Sequence, residues 1–167
     1  MRLPLGFYKQ SAVELAPLLL GKILCRKTDS GDIVRLAITE TEAYAGESDT
    51  ACHAHKGKTP RTAVMYEQGG VAYIYLCYGI HYLLNVVVAG INEPEAVLVR
   101  GLEGINGPGR LTKALKIDKS LNGVSFLSSA ELWLEDGPQP GFATTPRIGI
   151  NYASEEDKAR LWRFIAN

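Results

Sequence analysis

The sequence predicts an α+β fold, a mostly antiparallel sheet with short helices around it. Short apolar runs rich in Val, Ile, Leu and Tyr recur along its 167 residues, bounded by Gly, Asp, Asn and Ser. Few of these runs are separated by a segment long enough for the crossover that parallel neighbours require. Helix-start chemistry, by contrast, occurs at only a few places.

Taken in order, Ser11-Ala-Val-Glu14 predicts a short helix with Ser11 as N-cap and Glu14 completing a capping box. Pro17 shortens that helix and Gly21 ends it. Strands follow at 22–27 and 33–41, joined by a turn at Asp29-Ser-Gly-Asp32. Residues 45–61 are small and polar and read as loop or helix turns. Strands return at 71–78, 82–88 and 96–102. Gly107-Pro-Gly109 then leads into a helix over 110–117. Further strands are expected at 131–135 and 147–150. Ser154-Glu-Glu-Asp157 starts a last helix, after which Trp162, Phe164 and Ile165 form a packed tail. No repeat or linker interrupts the chain, so residues 1–167 read as one domain.

Composition bounds the function. At 46% hydrophobic and 22% charged residues, this is the make-up of an ordinary globular protein. No apolar run approaches the roughly 18 residues of a membrane span, and the start MRLPLGFYKQ has no signal-peptide pattern. The expectation is a cytoplasmic protein. Cys25, Cys52 and Cys77 are odd in number and widely spaced, which argues against a disulfide framework and against zinc. Each is expected as a small buried hydrophobe. The 18 basic and 18 acidic side chains cancel, which counts against a strongly basic nucleic-acid binder. The charges are nonetheless segregated. His55-Lys-Gly-Lys-Thr-Pro-Arg61 contains no acid, and Arg110, Lys113, Lys116 and Lys119 face only Asp118. Such patches can steer a polyanion although the total is zero.

Four of the eight tyrosines fall within residues 73–82. On a strand, Tyr73 and Tyr75 share one face, while Tyr78 has the opposite parity and precedes Gly79, where the chain can bend. This is either a platform for something flat or an aromatic core strand. Glu40, Glu42 and Tyr44 also share parity, and a carboxylate at a strand end beside a cleft is a natural general base for water. The competing reading is a solvated strand end. Arg100 closes an apolar strand and so needs a partner. His53 and His55 lack a third ligand at usable spacing, which favours hydrogen bonding or stacking over metal binding. Arg110 and Lys113 lie on one helix face after a glycine-rich turn, a phosphate contact or simply a solvated helix.

Together these pieces resemble the alkyladenine (3-methyladenine) DNA glycosylase family. The residues that carry the resemblance are Glu40-Thr-Glu-Ala-Tyr44 with His53, Thr59-Pro-Arg61, and Tyr73-Ile-Tyr-Leu-Cys-Tyr-Gly79 with Asn85. Val97-Leu-Val-Arg100, Gly107-Pro-Gly-Arg-Leu-Thr-Lys-Ala-Leu115, and Pro146-Arg-Ile-Gly-Ile150 through Trp162-Arg-Phe164 complete it. The likeness runs from about Leu5 to about Phe164.

The resemblance implies a curved, open-barrel-like sheet and a monofunctional enzyme that hydrolyses the N-glycosidic bond of alkylated or deaminated purines flipped from duplex DNA. Glu42 would activate the water, helped by Arg100. Tyr44 and His53 would form one wall of the base pocket and Tyr75 the other, with Asn85 on its floor. Tyr78 would fill the vacated stack, and Arg61, Arg110 and Lys113 would meet the DNA backbone. Neither a cofactor nor a metal is implied. The partner is duplex DNA carrying a damaged base; no obligate protein partner is expected and the chain would be a monomer. One departure is visible: Leu102-Glu-Gly-Ile-Asn-Gly107 bridges directly a stretch where the family usually has a longer segment. The alternatives are a non-catalytic binder of modified or single-stranded nucleic acid, which has no need of Glu42, and a nucleoside hydrolase, which has no need of Tyr78.

Overall fold

A computed structural model describes all residues, Met1–Asn167. Nine strands form one sheet in which every paired neighbour is antiparallel: β1 (Ile23–Lys27), β2 (Ile33–Tyr44), β3 (Ala72–Cys77), β4 (His81–Val88), β5 (Glu95–Leu102), β6 (Ile105–Asn106), β7 (Leu132–Glu135), β8 (Phe142–Thr145) and β9 (Arg163–Ala166). The main path runs β3-β4-β5-β2-β1-β7. The helices are short: α1 (Ala12–Leu18), α2 (Pro108–Ala114) and α3 (Glu155–Ala159), with several 3₁₀ turns between strands. The predicted α+β class is the observed one.

The strand β2 organises the site. Its first half pairs with β1 on one edge, and its second half pairs with β5 on the other. Where β1 leaves off, β9 takes over the same edge, so Thr41 sits between Val99 and Phe164. This double pairing carries β2 three residues past the predicted end at 41, to Tyr44. Glu42 and Tyr44 therefore sit on a strand held from both sides, a far stiffer platform than a fraying strand end.

The core lies between this sheet and α1. Ala12, Leu15, Ala16, Leu19 and Leu20 are fully buried, and the capping box of Ser11 and Glu14 is present. α1 ends at Leu18, one residue beyond Pro17. Gly21 turns the chain with φ +83°, and a Cβ there would lie 1.9 Å from the Pro138 carbonyl oxygen, so only glycine fits. The strand β4 is buried continuously from Leu83 to Val88, as a central strand covered on both faces should be.

Four expectations need correction. Residues 147–150 form no strand: that run is a loop packed on the end of β2, and the strand lies earlier, at β8. The tail around Phe164 is a strand, because β2 offers it a free edge. The helix expected at 110–117 begins two residues sooner, with Pro108 in its first turn, and stops at Ala114. Cys25 and Cys52 are buried as expected, whereas Cys77 is half-exposed where β3 leaves the core.

Candidate active site

The register between β2 and β5 shifts twice: Ile38 faces Leu102, Glu40 faces Gly101, and Thr41 faces Val99. Thr39 and Arg100 are thereby left without strand partners, the signature of a bulge, and bulges re-aim side chains. A Cβ on Gly101 would come within 2.8 Å of the Thr39 hydroxyl, so glycine lets the strands approach here. The re-aimed Arg100 finds the partner its burial demands. Its Nε donates to Glu40 Oε2 at 2.8 Å, and its Nη1 lies 3.8 Å from Glu42 Oε1.

The two carboxylates share a face but have opposite surroundings. Glu40 accepts from both Arg100 and Arg163, the latter at 2.9 Å. Burial alone would raise its pKa, but the hydrogen bonds and charges of the two guanidinium groups together hold it below the ordinary carboxylate value. Glu42 is 0% exposed. Tyr44 OH donates to its Oε1 at 2.8 Å, and the Ile148 N–H donates to its Oε2 at 2.7 Å. Burial raises its pKa, against the opposing pull of Arg100, the Ile148 amide and Tyr44. Glu40 is thus a fixed anion consumed in ion pairs. Glu42 is the more basic carboxylate, with lone pairs left for a further donor.

The loop that supplies the Ile148 amide is pinned by Arg147. Its guanidinium makes a two-pronged pair with Asp49, at 2.6 and 3.0 Å, and donates to the Ala43 carbonyl at 3.0 Å. It also stacks between the rings of Tyr44 and Trp162, 4.9 Å from each centroid. Asp49 caps the chain in turn, accepting from the amides of Ala45 and Ala51. Asp157, at the start of α3, accepts from the Thr50 amide and hydroxyl. The segments 45–51, 146–154 and α3 are thereby locked behind Glu42.

In front of them opens a cleft of ≈ 890 Å³ whose walls include Tyr44, His53, Tyr75 and Arg100, with Tyr78, Arg61 and Arg110 further out. An inner cavity of ≈ 30 Å³ continues from it, lined among others by Tyr44, Tyr75, Asn85 and Tyr152. Asn85, on β4 opposite Tyr73, donates its amide to the Tyr73 carbonyl at 3.2 Å. The walls are not divided as the sequence suggested. The rings of His53 and Tyr75 are in contact, with centroids 4.3 Å apart, so these two stand on one side. Tyr44 lines the same cavity and carries the Arg147 guanidinium on its ring. Tyr73, expected only to pack, supports His53 from behind through a 3.1 Å hydrogen bond between its hydroxyl and Nδ1. Burial, with Arg61 nearby, lowers the His53 pKa to about 4, so its imidazole is neutral at physiological pH. His55 also lines the cleft, and its Nδ1 bonds the Glu47 carbonyl at 2.8 Å.

At the rim, the β3–β4 hairpin turns through Tyr78 and Gly79, both with positive φ (52° and 67°), and closes with Ile80 N–H donating to the Cys77 carbonyl. Tyr78 is 88% exposed. A non-glycine residue held left-handed at a turn tip is strained, and here the strain points an aromatic ring into solvent. The helix α2 packs beside this hairpin: a Cβ on Gly109 would meet the His81 ring at 2.8 Å, and Thr112 donates to the Tyr82 carbonyl. Arg110 lies on the cleft. Lys113 is exposed on α2 but outside the lining.

Sequence reasoning missed Ile148, Arg147, Asp49, Tyr152 and Arg163. The pattern Pro146-Arg-Ile-Gly-Ile150 and the Trp162-Arg-Phe164 ending had been singled out without roles. Their roles rest on long-range contacts that no local spacing reveals.

Comparison with known proteins identifies the family. The family model described as "Methylpurine-DNA glycosylase (MPG)" matches residues 6–106 and 103–167. A Borreliella burgdorferi (strain ZS7) protein named "Putative 3-methyladenine DNA glycosylase" is 47% identical over 172 residues, spanning 95% of this chain and 92% of its own length. Proteins of the same name from Psychrobacter cryohalolentis and Methanocella arvoryzae are each 43% identical, spanning 97% of this chain and 90% of their own.

Proposed function

The chain belongs to the methylpurine-DNA glycosylase family, and from that premise we propose how its cleft carries out the reaction. It is a DNA-3-methyladenine glycosylase, a hydrolase of the N-glycosidic bond that acts on damaged DNA in base excision repair. The observation that carries the residue assignment is Glu42: a buried, basic carboxylate clamped by Tyr44, Ile148 and Arg100 beside an aromatic cleft.

Glu42 takes a proton from a water as that water attacks the anomeric carbon, and its charge offsets the oxocarbenium character of the sugar in the transition state. Arg100 fixes Glu40 and Glu42 in register and keeps the charge balance of the bulge. The flipped purine stacks between Tyr44 on one side and the His53–Tyr75 pair on the other, with Asn85 at the inner end. The ≈ 890 Å³ cleft that Tyr44, His53 and Tyr75 line is the space offered to the base. Tyr78 fills the vacated stack and offsets part of the cost of extrusion. Arg110, Lys113 and Arg61 supply positive charge toward the backbone of duplex DNA. Residues 1–167 act as one domain, a monomer in the cytoplasm, without an obligate protein partner. No helix is long and apolar enough to cross a membrane.

The test is excision of 3-methyladenine and hypoxanthine from duplex DNA by purified protein without added metal, leaving an abasic site. Undiminished excision by Glu42→Gln would remove the catalytic assignment.

A further inference from the structure

We propose that Glu40 is a positioning residue for the general base: it draws the guanidinium groups of Arg163 and Arg100 onto itself and so keeps the Glu42 carboxylate free for water. This role rests on the glycosylase reading above and belongs to a residue outside the reacting atoms.

The register of β2 and β9 places Arg163 directly opposite Glu42, while Glu40 lies two residues along, opposite Ile165. Directly opposed residues of an antiparallel pair share a face with Cβ atoms about 5 Å apart, whereas diagonal neighbours are about 7–8 Å apart. Arg163 nevertheless passes over the nearer acid. Its Nε donates to Glu40 Oε2 at 2.9 Å and its Nη1 to the Thr145 hydroxyl at 3.1 Å, and it forms no ion pair with Glu42. Arg100 divides in the same sense. Its Nε is 2.8 Å from the same Glu40 oxygen, and only its Nη1 reaches toward Glu42, at 3.8 Å. One carboxylate oxygen thus gathers two cations.

Glu42 is left with neutral donors only in hydrogen-bond contact. Its oxygens accept from the Tyr44 hydroxyl and the Ile148 amide, so about two of its lone-pair sites remain for a water. Behind it, the Arg147 charge is taken by Asp49. Toward the cleft, Tyr75 and Tyr152 stay uncharged, since burial raises both pKa values. The charge beside Glu42 is therefore set by Glu40, Arg100 and Arg163, and two carboxylates cancel two guanidinium groups. Without the Glu40 charge one cation is in excess, free to close on the open lone pairs of Glu42, lower its basicity and displace the water. The two carboxyl groups already titrate in opposite directions: burial disfavours charge on both, but the Arg163 and Arg100 bonds hold Glu40 low while Glu42 stays raised.

The experiment compares wild type, Glu40→Gln, Arg163→Gln and the double variant. Single-turnover excision of hypoxanthine from duplex DNA, duplex binding, and NMR titration of the Glu42 carboxyl carbon in the free protein are measured for each. Glu40→Gln keeps the shape of the side chain but not its charge. It should slow excision about tenfold at unchanged affinity, with Glu42 titrating about one unit lower. Arg163→Gln removes a cation instead and should move the Glu42 titration upward. The double variant restores neutrality and should recover most of the lost rate and the wild-type titration. A Glu40→Gln loss that Arg163→Gln fails to repair, or an unmoved Glu42 titration, overturns the proposal and leaves Glu40 a structural ion-pair partner. Wild-type rates in Glu40→Gln overturn it as well. Wild-type protein inactive on the duplex overturns the glycosylase reading, while the titrations still decide whether Glu40 holds the arginines off Glu42.

Discussion

Glu42, the proposed general base, is held buried at the expense of stability. Its folded pKa is raised by burial, so between the ordinary carboxyl value of 4.5 and that raised value the folded state holds more protons than the unfolded one. Stability from this group is then fully present below the unfolded value and falls as pH rises through the folded value. Above that folded value the penalty is complete. Glu42→Gln should therefore lower excision at least about a hundredfold yet raise the melting temperature. The gap between variant and wild type should be widest at neutral pH and shrink on acidification. Differential scanning at several pH values reads this directly, and a variant that melts lower at neutral pH would contradict it. Arg147 predicts the reverse. It is buried and doubly bonded to Asp49, so Arg147→Leu strands a buried carboxylate and should cost about 3–5 kcal/mol in urea unfolding. Adding Asp49→Leu should recover part of that loss. Excision should fall with either single change, because the Ile148 amide loses its anchor on Glu42.

Among the elements, the hairpin of β3 and β4 separates the roles of its tyrosines by position alone. Tyr73 is buried behind His53, Tyr75 lines the cleft, and Tyr78 stands free at the tip. A side chain that refills a base stack matters only where there is a stack to refill. Tyr78→Ala should thus slow excision from duplex DNA by roughly tenfold, a modest share of an unstacking cost of a few kcal/mol, while leaving excision from a single strand nearly unchanged. Equal losses on both substrates would mean that Tyr78 contacts the lesion instead. The same hairpin shows what the sequence made legible. Period-two parity and the Gly79 bend located its strands and its protruding ring, because these are local properties of the chain. Strand pairing is not local. That β9 would continue the edge left by β1, and that a loop rather than a strand at 147–150 would hand an amide to Glu42, depends on contacts more than a hundred residues apart. For the same reason the sequence set His53 opposite Tyr75, whereas the fold packs them together. Motif order brought out the candidate residues; only the assembled sheet shows which of them lie together.

The whole molecule has no net charge, yet several of its exposed basic groups lie at or beside the cleft. Lys56, Arg61 and Arg110 border the cleft, with Lys113 beside them on α2, while α3 concentrates Glu155, Glu156 and Asp157. Zero net charge removes the long-range attraction that a basic protein has for DNA, so affinity rests on the few cations that reach phosphates. Each phosphate neutralised releases condensed counterions and contributes about −0.9 to the slope of log K against log salt. Three or four such contacts give a slope of about −3, modest in size but enough that binding weakens steeply toward physiological salt. Lys113 lies outside the cleft lining and touches no group of the pocket, so Lys113→Ala should flatten the slope by about one and leave single-turnover excision at saturating protein unchanged. Fluorescence anisotropy over a salt series, paired with single-turnover rates, measures both quantities. A slope unaffected by Lys113→Ala would place the DNA path away from α2, and a lowered saturating rate would tie that helix to base extrusion rather than to backbone contact.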